Sequence, residues 1–381
     1  MAEYEQTEER VSDAQDLTYE QQLAEAIAAV QPVDASFEGD ARDRLDDLTK
    51  PQGSLGKLED VAAIVSVVQR NVRPDVKRKA IILMAGDHGV TAEGVSLFPS
   101  EVTVQMMANF DAGGAAICQF AGWADADLVL VDVGVAGDTE AFASVRQEKV
   151  AYGTGNMAHG PAMTREQAAH AFMVGVRMAE EAAVSGVRLI GTGEMGIGNT
   201  TAAAALASVL CGVAPETVVG RGTGLDDAGV AHKAEVIRRA IEVNQLDSAD
   251  VLGVLAAVGG LEIAGLAGVV VGAALRQTCV VADGFISGAA ALVAVRMCPA
   301  VAGYLLPSHR SVEPGHSVVL DALGHQPVLE LDMRLGEGSG AALAMGLVDA
   351  ACRMMSGMAT FSEAGVSGAE VEQVGESEPR A

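Results

Sequence analysis

The sequence predicts an α/β fold: a doubly wound, mostly parallel sheet with helices on both faces, plus a small helical domain formed by both chain ends. Three observations predict it. Four short apolar runs, Ala80–Ala85 (AIILMA), Leu128–Val133 (LVLVDV), Val187–Gly191 (VRLIG) and Cys279–Ala282 (CVVA), lack in–out alternation, as strands covered on both faces do. Amphipathic or alanine-rich stretches near 101–120, 164–185, 199–211, 227–244, 261–276 and 285–298 alternate with them, and such βα alternation builds parallel sheets. Each run also ends in a glycine- and acid-rich loop: GDHGV (Gly86–Val90), GVAGD (Gly134–Asp138), TGEMGIGNTT (Thr192–Thr201) and DGFISGAAA (Asp283–Ala291). Ligands of open α/β sheets bind beyond the carboxyl ends of strands, so the four loops imply one shared site.

In chain order, residues 1–16 are an acidic, disordered extension. Residues 17–75, with a helical stretch over Leu17–Asp47, form the N-terminal part of the small domain. The α/β domain spans 76–337. Residues 338–360, with the helix Gly340–Met355 (GAALAMGLVDAACRMM), supply its C-terminal part, and 361–381 form a second acidic, disordered tail.

Composition excludes several functions. The chain of 381 residues has a net charge of −26 and only 3% aromatic residues, so phosphate backbones are repelled and base-stacking platforms are lacking. No nucleic acid partner is expected. Segment 1–48 holds 14 acidic and 3 basic residues and segment 359–381 holds 5 and 1, so most of the net charge lies in the ends rather than around a site. The five cysteines (Cys118, Cys211, Cys279, Cys298, Cys352) form no C-x-x-C pair and sit in apolar surroundings. Buried reduced thiols in a cytoplasmic protein fit that usage, and no signal peptide opens the chain. Val251–Leu275 is long enough to span a bilayer and carries one charge, Glu262. Gly259-Gly260 splits it and its ends lack basic or aromatic flanks, so no membrane segment is expected.

The stretch GTGEMGIGNTTAAAA (Gly191–Ala205) carries glycines into an alanine-rich helix. Exposed N–H groups at such a helix start bind anions, although Asn199 or Thr200 capping the helix with nothing bound explains the same residues. A dinucleotide fingerprint needs the first strand and an acidic residue about 20 positions on; here the match follows a middle strand and contains Glu194. The lysine of an ATPase loop is missing. VVGRGTGLDDAGVAHK (Val218–Lys233) offers one, since Lys233 near the first turn of a helix calls for a compensating anion. In LDMRLGEGSGAALAM (Leu331–Met345), Gly336 and Gly338 let backbone approach a ligand, with Glu337 projecting over it. A carboxylate near a helix N-terminus stays ionised, as a proton acceptor must.

Metal chemistry competes through Asp87, His88 and His316 of EPGH (Glu313–His316). No H-x-x-x-H or paired-cysteine spacing supports it, and isolated histidines serve as hydrogen-bonded structural groups. A G-x-S-x-G nucleophile elbow is also missing; GSLG (Gly53–Gly56) has no strand before it.

Six collinear segments resemble the nicotinate-nucleotide–dimethylbenzimidazole phosphoribosyltransferase family: LTKPQGSLGKLE (Leu48–Glu59), MAGDHGV (Met84–Val90), GEMGIGNTT (Gly193–Thr201), VVGRGTGLDDAG (Val218–Gly229), DGFISGAAAL (Asp283–Leu292) and RLGEGSGAALAM (Arg334–Met345). They cover about residues 22–356. The resemblance implies transfer of phosphoribosyl from nicotinate mononucleotide to dimethylbenzimidazole, giving α-ribazole phosphate and nicotinate in cobalamin lower-ligand assembly. It implies Glu337 as general base and Glu194 as second active-site glutamate, with Lys233 at the phosphate. Gly196, Gly198, Asn199, Thr200 and Gly222 complete the expected phosphate and ribose contacts. It implies a homodimer and no metal or redox cofactor. The stretch VSLFPSEVTVQM (Val95–Met106) varies in the family, and Phe98, Gln105 and Met106, with Asp87, His88 and Leu335, are the candidate base contacts. A non-catalytic nucleotide or aromatic-base binder on the same fold would keep the glycine loops and need neither glutamate. A dinucleotide-dependent oxidoreductase is the third alternative.

Overall fold

A computed structural model of the chain describes residues 17–222 and 224–367. The extensions read as disordered over 1–16 and from 368 onward lie outside them. Residues 361–367, assigned above to the tail, are ordered: α15 (Phe361–Ala364) starts on a capping box between Thr360 and Glu363, and Thr360 bridges to Leu48.

Among the described residues three α-helices precede the sheet: α1 (Tyr19–Ala29), α2 (Glu38–Asp46) and α3 (Lys57–Gln69). The order continues β1 (Lys79–Gly86), α4 (Glu101–Asp111), α5 (Ala116–Trp123), β2 (Ala126–Gly134), β3 (Val145–Gln147), α6 (Arg165–Val184) and β4 (Leu189–Met195). It then runs α7 (Asn199–Cys211), α8 (Pro215–Val218), α9 (Asp227–Asn244), α10 (Val251–Val258), α11 (Leu261–Leu275), β5 (Cys279–Ala282) and α12 (Phe285–Met297). The chain closes with β6 (Leu305–Pro307), α13 (Pro314–Leu323), α14 (Ser339–Gly357) and α15.

The six strands are all parallel, in the order β3-β2-β1-β4-β5-β6. This is the doubly wound sheet the apolar runs predict, and every residue of β1 is buried. The expected helix over 101–120 is two helices, because Gly113 is left-handed (φ 73°) and ends the first.

The apolar stretch 251–275 forms α10 and α11, and α11 lies in the core against α6. Side chains at Gly175 or Gly268 would run into main chain of the opposite helix, so the glycines let the two helices approach closely. No helix among the described residues is long and apolar enough to cross a membrane.

The two chain ends meet. Arg44 donates to the carbonyls of Met355 (3.3 Å) and Met358 (2.9 Å), and α14 packs against α3. The other end of α14 faces the sheet, where the site lies.

Candidate active site

From β1 the chain winds outward through β2 to β3, and from β4 it winds the other way through β5 to β6. The loops at the ends of β1 and β4 therefore diverge, which opens a crevice. A cavity of about 340 Å³ occupies it. Its walls come from the segment 95–106, the loop after β4, the start of α12, the loop after β6 and the segment 334–337. Of the four strand-end loops only those after β4 and β5 line the wall; the GDHGV loop after β1 does not, nor does the GVAGD loop after β2. That loop supports the wall from behind, where Ala136 N–H donates to Asp87 Oδ2 at 2.8 Å.

Glu337 and Glu194 both line this cavity. Glu337 sits in a left-handed run, with φ of 83° at Gly336, 64° at Glu337 and 86° at Gly338. A non-glycine residue there is strained, and such strain collects at functional sites. The backbone N–H of Ile117 at the start of α5 favours the charged form of its carboxyl, and its Oε2 is buried without a hydrogen-bond donor. Burial raises the Glu337 carboxyl above the ordinary range. Burial therefore acts against the helix N-terminus expected to keep this carboxylate ionised.

Glu194 projects from the end of β4. Burial, then the nearby carboxylates of Asp283, Glu262 and Glu337, push it up to about 8. Asn199 Nδ2 donates to its Oε2, and the Glu337 backbone N–H favours its charged form.

Asp283 ties these pieces together from the end of β5. It accepts from Gly338 N–H (3.2 Å) and Ala341 N–H (2.8 Å), so its carboxylate fixes the first turn of α14 directly behind Glu337. Burial pushes Asp283 up to about 7.

At the opposite end, no side chain caps α7, whose N-cap is Gly198 (φ 96°). Asn199 and Thr200, which could have capped it, turn elsewhere: Asn199 to Glu194, and Thr200 Oγ1 to Lys233 Nζ at 2.7 Å. Lys233 lies in the second turn of α9 rather than the first and is fully buried. Burial lowers its ammonium to about 8, with Glu313 pulling the other way. Gly222 packs beside this pair, since a Cβ there would lie 3.4 Å from Lys233 Nζ. Lys233 itself is not among the residues that line the cavity; its ammonium lies behind Thr200, and a buried ammonium beside an uncapped helix start suits an anion.

A family model described as phosphoribosyltransferase matches residues 30–366. The nicotinate-nucleotide–dimethylbenzimidazole phosphoribosyltransferase of Chloroflexus aggregans is 51% identical over 345 residues, 91% of this chain and 98% of its own length. That of Geobacter sulfurreducens is 50% identical over 345 residues, with the same shares covered. The crystal structure of CobT from Thermus thermophilus superposes with a TM-score of 0.84 at 47% identity, covering 87% of this chain and 99% of that one. The chain belongs to the nicotinate-nucleotide–dimethylbenzimidazole phosphoribosyltransferase family.

Against that family background, the residues expected at the base divide into three groups. Phe98, Met106 and Leu335 line the cavity, with Phe98 and Leu335 about half exposed. Gln105, one position from Met106 on α4, is exposed and outside the wall. Asp87 and His88 are buried behind the wall. Asp87 accepts from Thr103 Oγ1 at 2.7 Å, and His88 Nε2 meets Glu262 Oε1 at 2.7 Å. His316, the other histidine weighed as a metal ligand, accepts from Ser311 N–H at 2.9 Å.

Residue-level reasoning missed His309, Ser311, Glu313 and Arg334 as wall residues. Three of them follow β6, a three-residue strand too short to read. Their signal was the polar run His309–His316 (HRSVEPGH), of which only EPGH was weighed, for metal ligation.

Proposed function

We propose that the two glycine-flanked glutamates carry the chemistry of the family reaction in this chain. The chain transfers the phosphoribosyl group of nicotinate mononucleotide to dimethylbenzimidazole, giving α-ribazole phosphate and nicotinate in cobalamin biosynthesis. The observation that carries the residue assignment is Glu337: a strained, left-handed glutamate in the wall of the crevice, with one carboxylate oxygen buried and unpartnered.

The phosphate of the mononucleotide lies at the α7 start with Lys233, Thr200 and Gly222, and its ribose extends past Gly196, Gly198 and Asn199 toward the glutamates. The bond from C1′ to the pyridinium nitrogen breaks, and its electron pair stays on nitrogen. Nicotinate thus leaves with a neutral ring nitrogen and needs no acid. The incoming base forms the new C1′–N bond with the lone pair of one ring nitrogen and becomes cationic. Its other N–H passes a proton to Glu337, whose raised carboxyl is better matched to neutral pH than an ordinary one. Glu194 faces the positive charge that develops on the ribosyl centre. Attack opposite the leaving pyridine converts a β linkage to α.

Phe98, Met106 and Leu335 hold the apolar body of the base. A cytoplasmic homodimer completes the reading; the five unpaired cysteines support a reducing compartment. Light scattering on the purified protein tests the dimer.

Incubating the protein with nicotinate mononucleotide and dimethylbenzimidazole should release nicotinate and α-ribazole phosphate in equal amounts. Binding of both compounds with no nicotinate released would contradict the enzyme reading in favour of a non-catalytic binder.

A further inference from the structure

We propose that Glu313 is the resident anion of the phosphate cradle, a specificity-determining carboxylate that the mononucleotide phosphate displaces. The inference rests on the reading of this end of the crevice as the phosphate end. Glu313 is buried just ahead of α13 and belongs to the cavity wall. Its Oε1 accepts from Gly222 N–H at 3.1 Å, and its Oε2 is buried with no hydrogen-bond donor. A side chain at Gly220 would run into Oε2, so the glycine loop wraps closely around the carboxylate. Gly222 in turn borders Thr200 and Lys233: a Cβ there would lie 3.2 Å from Thr200 Oγ1 and 3.4 Å from Lys233 Nζ.

One donor suited to a phosphate, the Gly222 N–H, thus already faces a carboxylate, while Lys233 Nζ donates to Thr200 Oγ1 beside it. A buried ammonium without a counter-charge is costly, and Glu313 supplies that charge across the cradle, where it opposes the effect of burial on Lys233. An incoming phosphate brings its own negative charge, and two anions around one ammonium repel. The phosphate therefore takes over the Gly222 N–H that Glu313 holds and replaces Glu313 as counter-charge to the Lys233 ammonium. Binding is an exchange of anions. The product, also a phosphate monoester, leaves as Glu313 returns to the Gly222 N–H.

The test titrates inorganic phosphate into the purified protein by calorimetry and measures KM for nicotinate mononucleotide. Glu313→Gln keeps an acceptor oxygen for Gly222 N–H and removes the competing charge. Phosphate should bind the variant about tenfold more tightly or better, with KM for the mononucleotide falling in parallel, because like-charge juxtaposition is removed. Phosphate binding that is unchanged or weaker overturns the proposal. Lys233→Ala, measured alongside, should lose phosphate binding. Retained binding there overturns both the cradle and the role of Glu313, whereas loss there without a gain in Glu313→Gln overturns the role of Glu313 alone.

Discussion

The loop that carries Glu337 presses on the carboxylate of Glu194, since a side chain at Gly336, one residue before Glu337, would run into Glu194 Oε1. The two carboxylates have different surroundings: the Asn199 amide donates to Glu194, whereas Glu337 Oε2 is buried without a donor. One can therefore take a proton while the other faces charge.

Gly336→Ala should damage the site more than the fold. It adds a Cβ at φ 83° and against Glu194, a combination expected to cost about 1–3 kcal/mol of stability. Turnover should fall by more than the loss of folded protein explains. Gly357→Ala, with open space around it, is the control. Denaturant unfolding and nicotinate release on the same samples compare the two.

The pH dependence of kcat/KM reports the free protein, and two opposed groups bound it. Glu194 must be ionised to face a cation, and its carboxyl is pushed up to about 8. Lys233 must be charged to hold phosphate, and burial brings it down to about 8. The profile should be a narrow bell near pH 8. Glu194→Gln should lower the maximum and move the acid limb down toward that of Glu337. A wild-type profile flat from about pH 6 to 9.5 would contradict both assignments.

Stability should respond to pH in a definite direction. Asp283 (about 7) and Glu194 (about 8) keep protons in the folded chain that the unfolded chain has released, so their contribution is lost as pH rises through those values. His88, raised mainly by Glu262 against the opposing effect of its burial, acts in the same sense. His309 and His316, lowered by burial to about 4 and about 3, oppose this only below the unfolded histidine value of about 6.5. The midpoint of thermal unfolding should therefore fall between about pH 6.5 and 8. Glu194→Gln should fall less over that window, and a wild-type midpoint that rises would reverse the sign.

Much of the sheet and of the site is legible in the sequence. The apolar runs of β1, β2, β4 and β5 are long enough to read, whereas β3 and β6 have three residues each and leave no run. RLGEG and GEMG announce their glutamates because glycines on both sides mark close backbone approach. Glu262 reads only as the one charge in an apolar stretch; its partner His88 lies 174 positions away and no local pattern links them. The contact of Gly222 with Glu313 spans 91 positions and is equally invisible. The burial that raises Glu337 escapes the sequence for a related reason: a helix start is visible there, but burial depends on every chain segment around it.

The proposed mechanism turns on Glu337 taking the proton from the incoming base. Glu337→Gln keeps the shape and removes the acceptor, so the most direct measurement is its turnover with nicotinate mononucleotide and dimethylbenzimidazole. The expected result is a fall in kcat of about 10²–10⁴ with mononucleotide binding retained. A kcat within a few-fold of wild type would show that the proton goes elsewhere.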